Sequence, residues 1–215
     1  CLVLLVLSVL AVIKTIFLSL DIDECYALAA AYRLATGERL FLDLWESHQL
    51  GGVFLAPFLW LYLKLAGTVD YLVIYARVIG TLLHIITGVI LYRTATGAGN
   101  MKKTFSLLLL FLHLNFLPKW VQCPEFELQQ YWCILLMFLC FYRYYHGERE
   151  KKRYLAAAGV LLVIQMLSYP ALILLYPVYL LGIAGVGRRD GKREGKGREI
   201  FLESVLFTAG AAIPG

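Results

Sequence analysis

The residues best suited to chemistry in this chain are the carboxylates that follow its first apolar run. Residues 21–49 hold six acidic side chains against two arginines, and the acids are Asp21, Asp23, Glu24, Glu38, Asp43 and Glu46. Acids that lie close together repel one another and raise each other's pKa, so such a cluster costs stability and is typical of a functional site. The simpler interpretation is a solvated acidic loop, because runs of charge usually face water.

A second acidic pair, Glu125 and Glu127, comes just before an apolar run at 128–145. Two carboxylate groups that face each other across the mouth of a helical bundle could hold a general base or a divalent cation. Lys119 and His48 are expected near the same face, where they could bind an anionic head group. Unrelated loop acids are the alternative interpretation of this pair.

The elements that must position these residues are membrane helices. The chain is 60% hydrophobic and 16% charged, whereas an average soluble domain is about 45–50% apolar and about 25% charged. We therefore predict an all-α, polytopic transmembrane bundle that forms a single domain, and we interpret the chain as a fragment of a longer protein. The expected spans are about 1–20, 71–92, 104–118, 128–145, 154–168, 171–185 and 200–215.

The side of the membrane on which the acids lie depends on residues 53–66. This run has 14 residues and contains Pro57 and Lys64, and apolar runs of about 10–14 residues are more often interfacial than spanning. If it does not span, the loops 93–103, 143–153 and 187–199 share one side and hold 14 of the 20 Lys and Arg residues.

Basic loops face the cytoplasm, so residues 21–70 are then an extracytoplasmic loop with juxtamembrane helices. If residues 53–66 do span, residues 21–50 are cytoplasmic instead, and the charge count alone does not exclude this second topology.

Arg77 lies inside the predicted span 71–92, about six residues from its start. An arginine at that depth is costly and needs an anionic partner. The sequence leaves two partners open, a carboxylate of the protein or the phosphate of a lipid. His84, one heptad further along, is expected to be a core histidine.

Several short motifs follow one another along the chain, namely Asp23-Glu24-x-Tyr26, Gly37, Trp45-Glu46, Gln49-Leu50 and Arg77. The order of these motifs resembles the GT-C class of membrane glycosyltransferases, and within it the protein O-mannosyltransferase-like and aminoarabinose-transferase-like enzymes. It implies a multi-pass protein of the plasma membrane with an extracytoplasmic active site. It also implies a polyprenyl-phosphate sugar donor and a glycan, lipid or protein acceptor, with no nucleic acid involved.

The resemblance implies catalytic roles for Asp23 and Glu24. Neighbours on a helix diverge by about 100°, so the two acids cannot do the same job. Asp23 is expected to be the base, Glu24 to brace the helix N-terminus, and Asp21 is the rival base. The residues expected to bind substrate are Tyr26, Glu46, His48, Gln49, Arg77, Lys119, Glu125 and Glu127.

The need for a metal is left open. No cofactor is required by the sequence, and if a divalent metal is bound, its expected ligands are Asp23, Glu46 and Glu127. Two other classes also remain open, a transporter of a lipid-linked or anionic substrate and a non-catalytic membrane protein. A transporter would carry its polar residues near the membrane midplane. The acids of this chain are instead expected at the outer mouth of the helical bundle.

Overall fold

The computed structural model describes residues 2–45, 50–97, 102–116, 118–119, 122–146, 151–189 and 196–212. Within these ranges the secondary structure is helical, which confirms the all-α prediction. The α-helices are α1 (Leu2–Lys14), α2 (Ile22–Ala35), α3 (Gly51–Ala66), α4 (Leu72–Gly97), α5 (Lys103–Asn115), α6 (Phe126–His146), α7 (Lys151–Ser168), α8 (Tyr176–Arg189) and α9 (Lys196–Ala212). Short 3₁₀ helices cover Thr15–Phe17 and Pro170–Leu175.

Two helix boundaries follow directly from local chemistry. α2 begins at the N-cap Asp21 with a capping box, and the chain leaves it through Gly37, whose φ of 105° favours glycine. The expected break between residues 154–168 and 171–185 is present, because α7 ends at Ser168 just before Pro170.

One described helix, the 26-residue α4, is long and apolar enough to cross a membrane by itself. A second crossing results if α1 with its 3₁₀ continuation is counted together with α2, although the two are bent by 70°. α3 has 16 residues and α5 has 13, so these apolar helices are shorter than a usual span. The other expected spans remain predictions.

The sequence predicts a single domain. In the structure the chain divides into two compact units. The first runs to Trp132 and includes Leu167–Tyr169. Its buried core joins α2, α3 and α4 through Leu28, Ala31, Leu55, Leu59 and Ala76, together with Cys123. Gly52 permits this packing, because a Cβ there would lie 2.9 Å from the backbone nitrogen of Ala31.

The second unit contains Cys133–Met166 and the chain from Pro170 onward. Its core is built around Met137, Leu155, Leu162, Ile183 and Phe207. α7 and α9 approach closely at Gly159 and Gly210, where an added Cβ would lie 2.1–2.2 Å from a backbone oxygen of the other helix. The candidate site lies in the first unit.

Candidate functional site

The N-terminus of α2 holds three acids in three different environments. The Asp21 carboxylate accepts a hydrogen bond from the Asp23 backbone nitrogen at 3.0 Å, and the Glu24 carboxylate accepts one from the Asp21 nitrogen at 3.3 Å. Glu24 is fully buried, whereas the Asp23 side chain is 47% exposed. The prediction that Glu24 braces this helix end while Asp23 faces elsewhere is confirmed, and Asp21 shares the bracing.

Arg77 is the buried partner of Glu24. Its Nε and Nη2 donate to the two oxygens of Glu24, both at 2.6 Å. Its remaining N–H groups donate to backbone oxygens after α1, at 3.0 Å to Ile16, 2.6 Å to Leu18 and 3.0 Å to Ser19. A guanidinium has five N–H donors, and all five are taken.

Of the two partners that the sequence left open for Arg77, the protein carboxylate is the one observed. The expected contact of Arg77 with a donor phosphate is therefore not supported, because the guanidinium is 2% exposed and has no donor left to offer. Glu24 is likewise occupied on both oxygens and positions α2 rather than facing a substrate.

The side chain of Lys119 gathers four carboxylates from two parts of the chain. Its Nζ donates to Asp23 Oδ2 and lies 3.3 Å from Glu125 Oε2, 3.8 Å from Asp21 Oδ1 and 3.8 Å from Glu127 Oε2. We call Asp21, Asp23, Lys119, Glu125 and Glu127 the Lys119 cluster. The structure thus brings together four predicted site residues, Asp23, Lys119, Glu125 and Glu127, with the rival base Asp21.

The electrostatics of the Lys119 cluster are dominated by its acids. Burial disfavours the charged ammonium, but the hydrogen bond to Asp23 and the charges of Glu125 and Glu127 outweigh it and raise the pKa of Lys119. Burial raises the pKa of Glu125 to about 7, against the opposing effect of Lys119. The second oxygen of Glu125, Oε1, is buried without a hydrogen-bond partner among the described residues.

The cluster also contains a set of oxygens that could hold a metal ion. One oxygen each from Asp21, Asp23 and Glu125 lies within 4.8 Å of the other two. Two oxygens bound to the same cation are separated by at most two bonds of about 2.0–2.6 Å, so these three acids could share one ion. This set differs from the expected ligands, since it uses Asp21 and Glu125 where Glu46 and Glu127 were predicted.

Four residues predicted to bind substrate remain, Tyr26, Glu46, His48 and Gln49. Tyr26 lies on α2 and is 42% exposed. Glu46, His48 and Gln49 fall outside the described residues, so their predicted roles stay predictions.

Sequence reasoning missed a polar network that links α4, α5 and α6. The rings of His84 and His113 stack at 4.2 Å, and each Nε2 donates to the other's backbone oxygen, at 3.1 and 2.9 Å. The Trp132 indole donates to His84 Nδ1 at 3.2 Å, and His113 Nδ1 pairs with the Tyr131 hydroxyl at 2.7 Å. All four ring nitrogens of the two histidines are hydrogen-bonded within the protein. The two histidines therefore join α4, α5 and α6 to one another.

One sequence signal could have found this network. Gly88 lies one turn after His84, and a Cβ on Gly88 would be 2.8 Å from His113 Cδ2. A small residue one turn from a histidine in a long apolar helix therefore marks where another side chain approaches the backbone.

Comparisons of the chain with protein-family models, with curated proteins and with solved structures found no match.

Proposed function

We propose that this chain is part of a multi-pass membrane glycosyltransferase. It would transfer a sugar from a polyprenyl-phosphate-linked donor to an acceptor on the extracytoplasmic face of the plasma membrane. The observation that carries the proposal is the Lys119 cluster, in which Asp23 offers a half-exposed carboxylate beside an ammonium. This transfer needs those two groups together, a base for the acceptor and a positive charge for the phosphate.

The membrane part of the proposal is supported by the surface of the first unit. Large apolar side chains are exposed on several of its helices, for example Leu7 at 56% on α1, Ile86 at 52% on α4 and Leu112 at 54% on α5. Large exposed apolar surface marks contact with lipid or a partner. Several helices of the first unit would therefore face lipid, although α4 is the one described helix that meets the length and composition of a span alone.

The proposed reaction is a direct displacement at the anomeric carbon. The acceptor hydroxyl attacks that carbon while the Asp23 carboxylate takes its proton, and the bond from the carbon to the phosphate oxygen breaks. The electron pair leaves with the polyprenyl phosphate, which is a weak base and needs charge neutralisation more than a proton. Lys119 takes the role that the sequence gave to Arg77, because Arg77 is fully engaged by Glu24 and backbone oxygens.

A transporter is less well supported by the described residues. His84 lies midway along α4, where a transporter would place substrate-binding groups. Both of its ring nitrogens are already hydrogen-bonded within the protein.

The test is a transfer assay in proteoliposomes. Purified chain is incubated with a panel of radiolabelled polyprenyl-phosphate sugars and with extracted envelope lipids, glycans and proteins as acceptors. The proposal predicts loss of label from at least one donor and its appearance in an acceptor or in water. A donor panel that stays intact with the wild-type chain would contradict it.

A further inference from the structure

We infer that a cleft between the C-terminal ends of α2 and α3 binds the phosphate headgroup of an anionic phospholipid of the surrounding membrane. We call it the α2–α3 cleft. Its volume is about 460 Å³, and the residues that line it are Ala35, Thr36, Gly37, Trp60, Leu63 and Lys64. This volume falls within the range of about 300–1,000 Å³ that is usual for ligand pockets.

The α2–α3 cleft is separate from the Lys119 cluster, and its ligand goes beyond the proposed function. The Lys119 cluster lies at the N-terminal end of α2, where Lys119 binds Asp23, and the cleft lies at the C-terminal end of the same helix. α2 has 14 residues, so its two ends are about 20 Å apart at about 1.5 Å per residue. Lipid binding in the cleft therefore does not depend on sugar transfer.

The first argument is the exposed face of α3. One face of this helix packs on α2 and α4 through Leu55 and Leu59. The other exposes Trp60 at 50%, Leu61 at 45% and Leu65 at 78%, and such apolar surface marks contact with lipid or a partner. α3 has 16 residues, which give a length of about 24 Å, whereas the core of a bilayer is about 30 Å thick. This face is therefore suited to lie along the membrane surface.

The second argument is a pair of unused donors in the cleft. Trp60 and Lys64 are four positions apart, so they are neighbours on the surface of α3. Among the described residues, neither the Trp60 indole N–H nor the Lys64 ammonium has a hydrogen-bond or acidic partner. Both residue types are favoured where a membrane meets water, because the apolar part enters lipid while the polar tip stays at the headgroups. Together they could donate to the oxygens of one phosphate group.

The third argument is the charge of the cleft. Of the six described residues that line it, Lys64 is the charged one. The carbonyl oxygens at the end of α2 accept hydrogen bonds from the backbone nitrogens of Thr36, Gly37 and Glu38, so they are not left unpaired. The Glu38 carboxylate itself binds Arg33 at 2.5 Å. A headgroup with its own ammonium would find no carboxylate among the lining residues, whereas an anionic headgroup complements Lys64.

The experiment counts the lipids that the full chain, purified in detergent, retains in native mass spectrometry. The probe is an equimolar mixture of phosphatidylglycerol and phosphatidylcholine, which share a phosphate and differ in net charge. We expect the wild type to retain one phosphatidylglycerol in preference to phosphatidylcholine. An excess of inorganic phosphate should not displace it, because the free ion cannot contact the apolar face of α3. No sugar donor is present, so the outcome is independent of the proposed function.

Two variants remove one donor each, and two others are controls. Lys64→Gln should weaken phosphatidylglycerol binding about tenfold, because it removes a charge-assisted hydrogen bond. Trp60→Phe keeps an aromatic ring but loses the N–H, and it should weaken binding about threefold. Lys64→Arg keeps the charge and should bind nearly as the wild type does. Arg39→Gln removes a surface cation that pairs with Asp43 and should leave binding unchanged.

Three results would overturn the inference. One is a wild-type chain that retains the two lipids equally, or that releases phosphatidylglycerol to inorganic phosphate, which would indicate a site for a free anion. Another is an undiminished preference for phosphatidylglycerol in Lys64→Gln, or in Trp60→Phe if Lys64→Gln does not fold. The last is an equal loss of binding in Arg39→Gln, since overall charge rather than the cleft would then attract the lipid.

Discussion

Arg77 of α4 binds Glu24 of α2 through two hydrogen bonds of 2.6 Å, and both side chains are almost fully buried. The two residues are 53 positions apart in the chain. The same guanidinium donates to three backbone oxygens after α1. Arg77 of α4 therefore binds both the segment that follows α1 and the first turn of α2. This contact sets the direction in which the first turn of α2 presents Asp23.

Breaking this buried pair should be far more damaging than breaking a surface pair. Arg77→Gln leaves the Glu24 charge buried without a counter-ion, which costs about 3–5 kcal/mol in comparable pairs. Glu38→Gln breaks the half-exposed pair with Arg33 and should cost about 0–1 kcal/mol. Melting temperatures in detergent check both. Equal, small decreases for the two variants would mean that Arg77 does not hold the first unit together.

Gly80 should be needed to place Glu125. A Cβ on Gly80 would lie 1.5 Å from the backbone oxygen of Gln122, and backbone atoms cannot yield as a flexible side chain can. Gly80→Ala is therefore expected to displace residues 122–124 and the Glu125 that follows, and so to lower sugar transfer in the proteoliposome assay about tenfold or more. Gly88→Ala on the same helix crowds the His113 side chain instead.

Gly88→Ala is the control for this prediction, because it should lower the melting temperature with little effect on sugar transfer. The transfer rates and melting temperatures of both variants are compared with those of the wild type. If Gly80→Ala transfers sugar as the wild type does, the close contact of residue 122 with α4 does not position Glu125.

The titration of Glu125 should appear in the pH dependence of stability. Burial raises its pKa from the ordinary value of 4.5 to about 7. Between these values the folded protein keeps a proton that the unfolded chain has lost, so raising the pH from 4.5 to 7 lowers the free energy of unfolding. The loss is on the order of 3 kcal/mol, from about 1.4 kcal/mol per pKa unit.

Melting temperatures recorded with EDTA across this pH range test the prediction. Glu125→Gln cannot titrate, so its curve should be flatter than that of the wild type between pH 4.5 and 7. Parallel curves for the two proteins would contradict the prediction, because they would show that folding does not raise the pKa of Glu125.

The predicted topology places two exposed positions on opposite sides of the membrane, with one membrane-spanning helix between them. Leu42 lies in the loop expected outside, and Lys102 precedes α5 on the side expected to be cytoplasmic. In a background with Cys25→Ser, we expect an impermeant thiol reagent to label Leu42→Cys in intact cells and Lys102→Cys only after lysis. Protection of Leu42→Cys until lysis would favour the alternative in which residues 53–66 cross the membrane.

The sequence predicted those features that local chemistry determines. Glu24 was expected to brace the start of α2, and the structure adds that Asp21, three residues earlier, forms a capping box with it. Pro170 ends α7 for an equally local reason, since the residue before a proline disfavours helix. The all-α class was predicted from composition, and this prediction required no knowledge of long-range contacts.

The contacts that the sequence did not reveal join distant residues. Lys119 and Asp23 are 96 positions apart, and the sequence identified both as candidate site residues but not as partners. The choice between a carboxylate and a lipid phosphate for Arg77 depended on how α2 packs beside α4. The stacked pair of His84 and His113 depended on the approach of α5 to Gly88, a contact for which neither histidine gives a signal alone.

The central claim is that Asp23 acts as the base in sugar transfer, and the most direct measurement is the turnover of Asp23→Asn in the proteoliposome assay. We expect transfer to fall by about 100-fold or more, as for a lost general base, with donor binding and melting temperature close to those of the wild type. Asp21→Asn should retain most of the turnover, because asparagine keeps the helix cap. Near-normal turnover of Asp23→Asn would contradict the account, and most directly so if Asp21→Asn were inactive.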